Sequence, residues 1–387
     1  MDFALTESQE LIRKEVGALA RTFSLDYWLD KDDRAEYPGD FVKAFADNGW
    51  LGIMVPEAYG GAGLGVTEAA LMLHEICASG AGTSGASPVH FYVFPPTPLI
   101  KYGTEAMKRK YLPQIVSGEI VMAFGVTEPN AGTDTSRIQT RAEKKGDRWV
   151  VNGRKVWTTN AQHATKILLL ARTADRDPAK PLKGMTLFFA DFDRTAITVR
   201  EIHKLGRAAV DSNEIFIDNL EIPDEDVVGT PGEGFYHLID SLNPERIVVG
   251  IEAVGIGRAA LDRAVQYAKE RVVFDRPIGK NQAIAHPLAH AMAQLDAAEM
   301  MCLKAAWLFD NGKPCGREAN AAKMLAAEAG FNACDAALQT FGGFGYAKEF
   351  YVERLWREIR LYKIAPVSQQ MALNYLAEHV LGLPRSY

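Results

Sequence analysis

Hydrophobic spacing in this chain changes period twice, and that double change restricts the folds open to it more than any other feature. Over residues 1–120 apolar side chains recur at helical intervals. Leu11, Ile12, Val16, Leu19, Ala20 and Phe23 fit one helix face, and Thr6 with Gln9 reads as a capping box. Over 121–230 the pattern alternates, which predicts short strands at 148–155, 167–170, 185–189, 197–199 and 214–217, with a hairpin-like Asn152-Gly153 in the first. From 231 helical spacing returns and persists almost to 387. Clusters of Pro and Gly at 55–65 and at Pro223, Pro231, Gly232 and Gly234 break the pattern. A further loop is expected at 84–98, holding His90, Phe91, Tyr92 and Phe94. The expected architecture is α+β and multi-domain: an N-terminal helical domain (1–120), a small middle β-barrel or two-sheet domain (121–230) and a C-terminal helical domain (231–387).

With 387 residues, 48% of them hydrophobic, the chain has material for several cores. Its 43 basic and 49 acidic residues form no long run of one sign, so nucleic acid is not expected as a partner. Cys77, Cys302, Cys315 and Cys334 show no paired spacing, which argues against a disulfide framework or a zinc site. The opening MDFALTESQE is acidic early and lacks an apolar core, and no apolar run reaches membrane-spanning length. A cytoplasmic location is expected.

Two stretches carry the chemistry. Residues 125–134 (GVTEPNAGTD) leave an apolar run and enter a turn that frees backbone N–H groups and offers the hydroxyls of Thr127 and Thr133. Residues 156–160 (VWTTN) add an indole, Trp157, and another hydroxyl, Thr159. Such a rim suits a flat, polar-edged ring bearing phosphates. These residues resemble the first signature of the acyl-CoA dehydrogenase family, and 339–346 (QTFGGFGY) resembles its second. The likeness spans nearly the whole chain. It implies a C-terminal four-helix bundle, FAD between the middle and last domains, electron-transferring flavoprotein as electron acceptor, and a homotetramer.

The resemblance also implies roles for individual residues. Phe124, Val126, Thr127, Thr133, Trp157, Thr158 and Thr159 match positions around the flavin, with Trp157 over one ring face and Thr159 near N5. Arg271, Phe274 and Gln282, in ERVVFDRPIGKNQ, match FAD contacts, the arginine reaching a pyrophosphate across a subunit interface. Gln339, Gly342 and Gly343 fit a turn in which a nucleotide approaches bare backbone, and Ser368 and Gln370 match further cofactor positions. Asp275 stands where the family usually has glycine.

Glu245, in NPERI, is the candidate base. From spacing alone, Asn243 as a helix cap and Pro244 at the first helical position leave Glu245 as a carboxylate complementing the helix dipole. The resemblance points elsewhere: in the isovaleryl-CoA and long-chain branches the catalytic glutamate occupies this place. Arg246 follows it and, with Asn243 and Thr133, is expected to meet the acyl-CoA. The C-terminal place where most members carry their base holds Pro366, which cannot take a proton and has no N–H to polarise a thioester carbonyl. Glu252, two helical turns on from Glu245, is the second choice.

Two patterns are read as decoys. Gly255, Gly257 and Ala260 imitate a dinucleotide fingerprint but continue helical spacing, so a buried helix is expected. His286 and His290 have metal-like spacing without a metalloenzyme motif around them. The expected reaction is α,β-dehydrogenation of an acyl-CoA to the trans-2-enoyl-CoA, Glu245 taking the Cα proton and flavin N5 the Cβ hydride. A flavin monooxygenase or oxidase on the same scaffold, or a catalytically silent acyl-CoA-binding protein, are the alternatives.

Overall fold

The computed structural model describes residues 4–239 and 242–385. Helix α1 (Glu7–Arg21) opens with the expected capping box and buries Ile12, Val16 and Ala20. Leu11 falls off that face and is exposed. Helices α2 (Leu25–Arg34), α3 (Gly39–Asp47) and α4 (Val66–Ile76) follow.

Where a loop was expected at 84–98, the chain instead forms a buried helix, α5 (Gly82–His90), with Pro88 inside it. Its sequence shows no helical period because every residue of it is buried, so no polar face exists to alternate with. The Glu358 carboxylate closes its N-terminus, accepting from Thr83 N at 2.6 Å and from Ser84 Oγ at 2.6 Å. Such a cap satisfies orphan amides and complements the helix dipole. Helices α6 (Thr97–Tyr102) and α7 (Glu105–Val116) complete the first layer.

The middle region is a sheet of strands β1 (Met122–Gly125), β2 (Arg141–Lys145), β3 (Arg148–Thr159), β4 (Lys166–Arg172), β5 (Met185–Asp191), β6 (Ile197–Glu201), β7 (Ser212–Pro223) and β8 (Val227–Val228). Its order is β6-β7-β3-β2-β4-β5-β8, with β1 parallel to β4, and it encloses a core that includes Trp149, Val151, Phe188 and Ile215. Asn152-Gly153 is not a hairpin turn. It lies inside β3 as a bulge, where a Cβ on Gly153 would sit 2.7 Å from Thr140 Cα. The hairpin between β2 and β3 turns instead at Gly146, whose φ is +65°.

Beyond α8 (Gly234–Ile239), the bundle is built on α9 (Leu242–Glu270), α10 (Gln282–Asp310) and α11 (Gly316–Phe341), with α12 (Val352–Ile359) and α13 (Gln369–Tyr375) packed on it. A short hairpin, β9 (Val272–Val273) and β10 (Arg276–Pro277), links α9 to α10. The glycine-rich decoy is a packing stripe of α9: a Cβ on Gly255 would come within 2.6 Å of His74 O, and one on Gly257 within 2.7 Å of Leu295. Asn243 and Pro244 lie inside α9 as described, so Asn243 is not its cap. His286 and His290 are exposed on α10, and no metal-binding group of His, Cys, Asp and Glu occurs among the described residues.

Candidate active site

Helix α9 carries Glu245 and Glu252 on one face, and α5 delivers His90 between them. His90 Nε2 lies 2.7 Å from Glu245 Oε2 and Nδ1 2.7 Å from Glu252 Oε1. All three side chains are buried. The Tyr362 hydroxyl donates to the other oxygen of Glu252 at 2.8 Å, and Thr83 donates to that hydroxyl at 3.2 Å. Burial pushes the His90 imidazole down, but Glu245 and Glu252 outweigh it and hold His90 protonated well above its ordinary range. With both carboxylates ionised, each ring nitrogen carries a proton and donates it. Thus the two acids that sequence spacing placed on one face share a single cation.

Next to Glu245, Arg246 donates to Leu242 O at 2.9 Å and Asn243 Oδ1 at 3.3 Å, while its buried Nε has no protein partner. A donor left over in this way fits a substrate oxygen.

The rim lies across an aromatic pair. His90 is 6.2 Å from Phe94 between ring centroids, and Phe94 meets half-buried Phe124 edge-on at 5.2 Å. The two segments of the first signature are joined by Val156 N donating to Thr127 O at 2.9 Å. A bulge in β3 then gives Trp157 a φ of +61° and leaves its indole 57% exposed, turned out as a platform. Thr159 is buried. Thr158 is fully buried with its hydroxyl left without a protein partner, and Asn213 donates to its carbonyl at 3.0 Å. Thr127 is half-buried and Thr133 exposed in the turn.

Behind the turn, Lys155 is wholly buried and donates to Glu128 Oε1 at 2.9 Å and to Val126 O at 3.1 Å. Burial pushes this ammonium down and Glu128 only partly offsets it, leaving it at about 8, so it is charged at neutral pH. Sequence reading passes over a second buried cation, Arg207. It donates to Ser87 Oγ at 2.8 Å, one turn before His90 on α5, and to Ser212 Oγ at 2.8 Å and Thr159 Oγ1 at 3.4 Å. Arg207 therefore ties the helix that holds His90 to the strand that holds Thr159. No local pattern marks it, because its partners come from three separate elements.

The remaining expected cofactor residues gather elsewhere. A groove of about 700 Å³ is lined by Arg271, Phe274, Thr340, Gly342, Gly343 and Phe344. Nothing stands within 4 Å of a Cβ built on Gly342 or Gly343, so bare backbone is open to a ligand. Phe274 and Asp275 form the β9–β10 turn with φ of +50° and +60°, Asp275 taking the conformation a glycine would adopt, and Phe274 is 93% exposed. Gln282 and Gln339 flank the groove's segments and are exposed. Arg271 follows the last residue of α9, 26 residues from Glu245, so the groove lies about 40 Å from the acid at 1.5 Å per residue. That exceeds the length of one extended FAD. Ser368 caps α13, accepting from Met371 N at 3.3 Å, and Gln370 is exposed in its first turn.

The residues present fit a flavin: an exposed indole, rim amides and hydroxyls, unoccupied glycine backbone and a guanidinium. Comparison with known proteins agrees. Residues 6–119, 123–220 and 232–381 match the models for the N-terminal, middle and C-terminal domains of acyl-CoA dehydrogenase. The chain is 36% identical over 391 residues to acyl-CoA dehydrogenase fadE12 of Mycobacterium bovis, covering 100% of this chain and 99% of that one. It is 37% identical over 383 residues to the 3-(aryl)acrylate reductase of Clostridium sporogenes, covering 97% and 99%. The structure of butyryl-CoA dehydrogenase from Megasphaera elsdenii superposes with a TM-score of 0.93 at 31% identity, covering 98% of this chain and 100% of that one.

Proposed function

Since the chain belongs to the acyl-CoA dehydrogenase family, we propose that Glu245 is the base of its FAD-dependent α,β-dehydrogenation of an acyl-CoA thioester. The observation that carries this is the buried carboxylate itself: His90 engages Oε2, and among the described residues no hydrogen bond reaches Oε1. A carboxylate oxygen so placed takes the Cα proton. A flavin held by the Trp157 rim and the Gly342-Gly343 turn would supply the hydride acceptor for Cβ. Arg246, through its unpartnered Nε, and Asn243 hold the thioester end of the substrate, and burial of the site excludes water. At Pro366 no backbone N–H is available to the carbonyl.

A wide acyl group is proposed, branched or aromatic. Ala365 leaves room near the thioester, Phe94 and Phe124 offer ring faces, and the reductase at 37% identity is named for aryl substrates. Anaerobic mixing with a panel of acyl-CoAs while following the flavin spectrum tests this: branched or aryl thioesters should bleach the flavin fastest. Turnover confined to straight medium chains contradicts it. Electron-transferring flavoprotein is the proposed acceptor, in a reducing cytoplasm where the four buried thiols stay free.

The 40 Å between Glu245 and Arg271 supports shared cofactor sites, the groove of one protomer closing on the FAD of another in a homotetramer. Phe274, exposed at the tip of its turn, fits such an interface. Arg271→Ala is expected to weaken FAD about 10- to 100-fold, the effect of losing a charge-assisted contact. Mixing and reassembling this variant with Glu245→Gln should restore activity, because hybrid assemblies contain sites in which both residues are intact. If mixing brings no gain over either variant alone, each site is built within one protomer.

A further inference from the structure

The proposed base does not stand alone, and its partner on α5 was legible in the sequence only as part of an aromatic stretch. We propose that His90 is the positioning residue of Glu245, gripping Oε2 from behind so that Oε1 is the oxygen presented to the Cα proton. This inference rests on the reading of Glu245 as the base.

Four observations support it. First, the contacts form a closed series, Thr83 to Tyr362 to Glu252 to His90 to Glu245, with every hydrogen bond between 2.7 and 3.2 Å and every member buried. A ring held at both nitrogens cannot rotate without breaking a charged hydrogen bond. Second, His90 is the last residue of α5, where the helix dipole favours a cation. Third, α5 is itself anchored: the Glu358 carboxylate closes its N-terminus and is held by Arg354 at 2.8 Å. Arg207 fastens its middle through Ser87. Fourth, two buried carboxylates two turns apart on α9 repel unless a cation lies between them, and His90 is that cation.

The titratable groups around the imidazole come from several elements. Glu245 and Glu252 come from α9, Tyr362 from the turn after α12, and Cys77 stands near Glu252 at the end of α4. Arg207 reaches α5 from the segment before β7, and Arg354 with Glu358 lies beyond its N-terminus. The carboxylates raise the imidazole's proton affinity, so it is protonated throughout the neutral range and loses its proton only as pH rises well above its ordinary value.

The test is His90→Gln, which retains a donor but not the charge, studied as the FAD-loaded enzyme. FAD content and substrate KM should stay within about threefold, while the rate of flavin bleaching falls about 10- to 100-fold through loss of alignment. The alkaline limb that deprotonation of His90 imposes on the parent's pH profile should be missing from the variant, which has no imidazole to titrate. Glu252→Gln serves where His90→Gln fails to fold. It removes the rear grip alone and should slow bleaching by less, with the alkaline limb beginning at lower pH because one carboxylate fewer holds the imidazole's proton. A bleaching rate and pH profile like the unmodified enzyme's, per bound FAD, overturn the positioning role even if thermal stability drops. Glu245→Gln separates the two ideas: if that variant bleaches normally, the base assignment has failed, whatever His90 does.

Discussion

Glu245→Gln is expected to bind FAD as the parent does and to lose bleaching by acyl-CoA about 1000-fold or more, the scale at which a positioned general base contributes. The substitution preserves shape and one hydrogen bond to His90 but removes the proton acceptor. Unperturbed cofactor binding follows because, among the described residues, the side chain's hydrogen bond is to His90 and not to the rim. Its effect must be read against Glu252→Gln. Glu252 is enclosed by His90 and Tyr362, which engage both its oxygens, so neither is left to receive a substrate proton. The second variant should therefore slow bleaching without abolishing it. Complete loss with Glu252→Gln and retention with Glu245→Gln would reverse the assignment.

Lys155→Met is expected to destabilise the fold by about 3–5 kcal/mol, the cost of leaving a buried charge without its partner. Glu128 also accepts from Gln139 N at 2.7 Å and Thr140 N at 2.9 Å, so it stays tethered after the ammonium is gone. Because Lys155 also holds the carbonyl of Val126, the turn bearing Thr127 should loosen and FAD retention should fall with stability. Denaturant titration with and without excess FAD measures both effects. The pH dependence has a definite sign. Burial raises the Glu128 carboxyl, but Lys155 and the hydrogen bonds from Thr140 and Gln139 outweigh it and hold it below the ordinary range. The pair's contribution is thus complete at neutral pH and is lost as pH falls through that depressed value. The gap between parent and variant should narrow in acid. Equal stability at pH 7 contradicts the assigned role.

Sequence reading was strongest where information is local. The order helical, sheet, helical follows from period alone, and strands β4 and β5 announce themselves as apolar runs. Glu245 and Glu252 were placed on one face by their seven-residue separation, and the shared imidazole bears out that geometry. Reading failed where partners are distant. Helix α5 looks like a loop because it is buried on all sides and capped by Glu358, 275 residues from Thr83. Asn152-Gly153 has hairpin composition, yet a partner strand continues past it and makes it a bulge. Thr158 and Thr159 are neighbours in one motif and both are buried, Thr158 with its carbonyl held by Asn213 and Thr159 with its hydroxyl met by Arg207. His90 lies 155 residues from Glu245, and nothing local in the sequence announces its two hydrogen bonds.

The central claim is that one buried acid faces the substrate's α-carbon. The most direct measurement is a crystal structure of the FAD-loaded protein with a non-reacting thioester analogue. The account expects Glu245 Oε1 about 3–3.5 Å from Cα, on the face away from the flavin, with Oε2 still held by His90. A Glu245 carboxyl turned away from the ligand, or a different acid in that position, contradicts it.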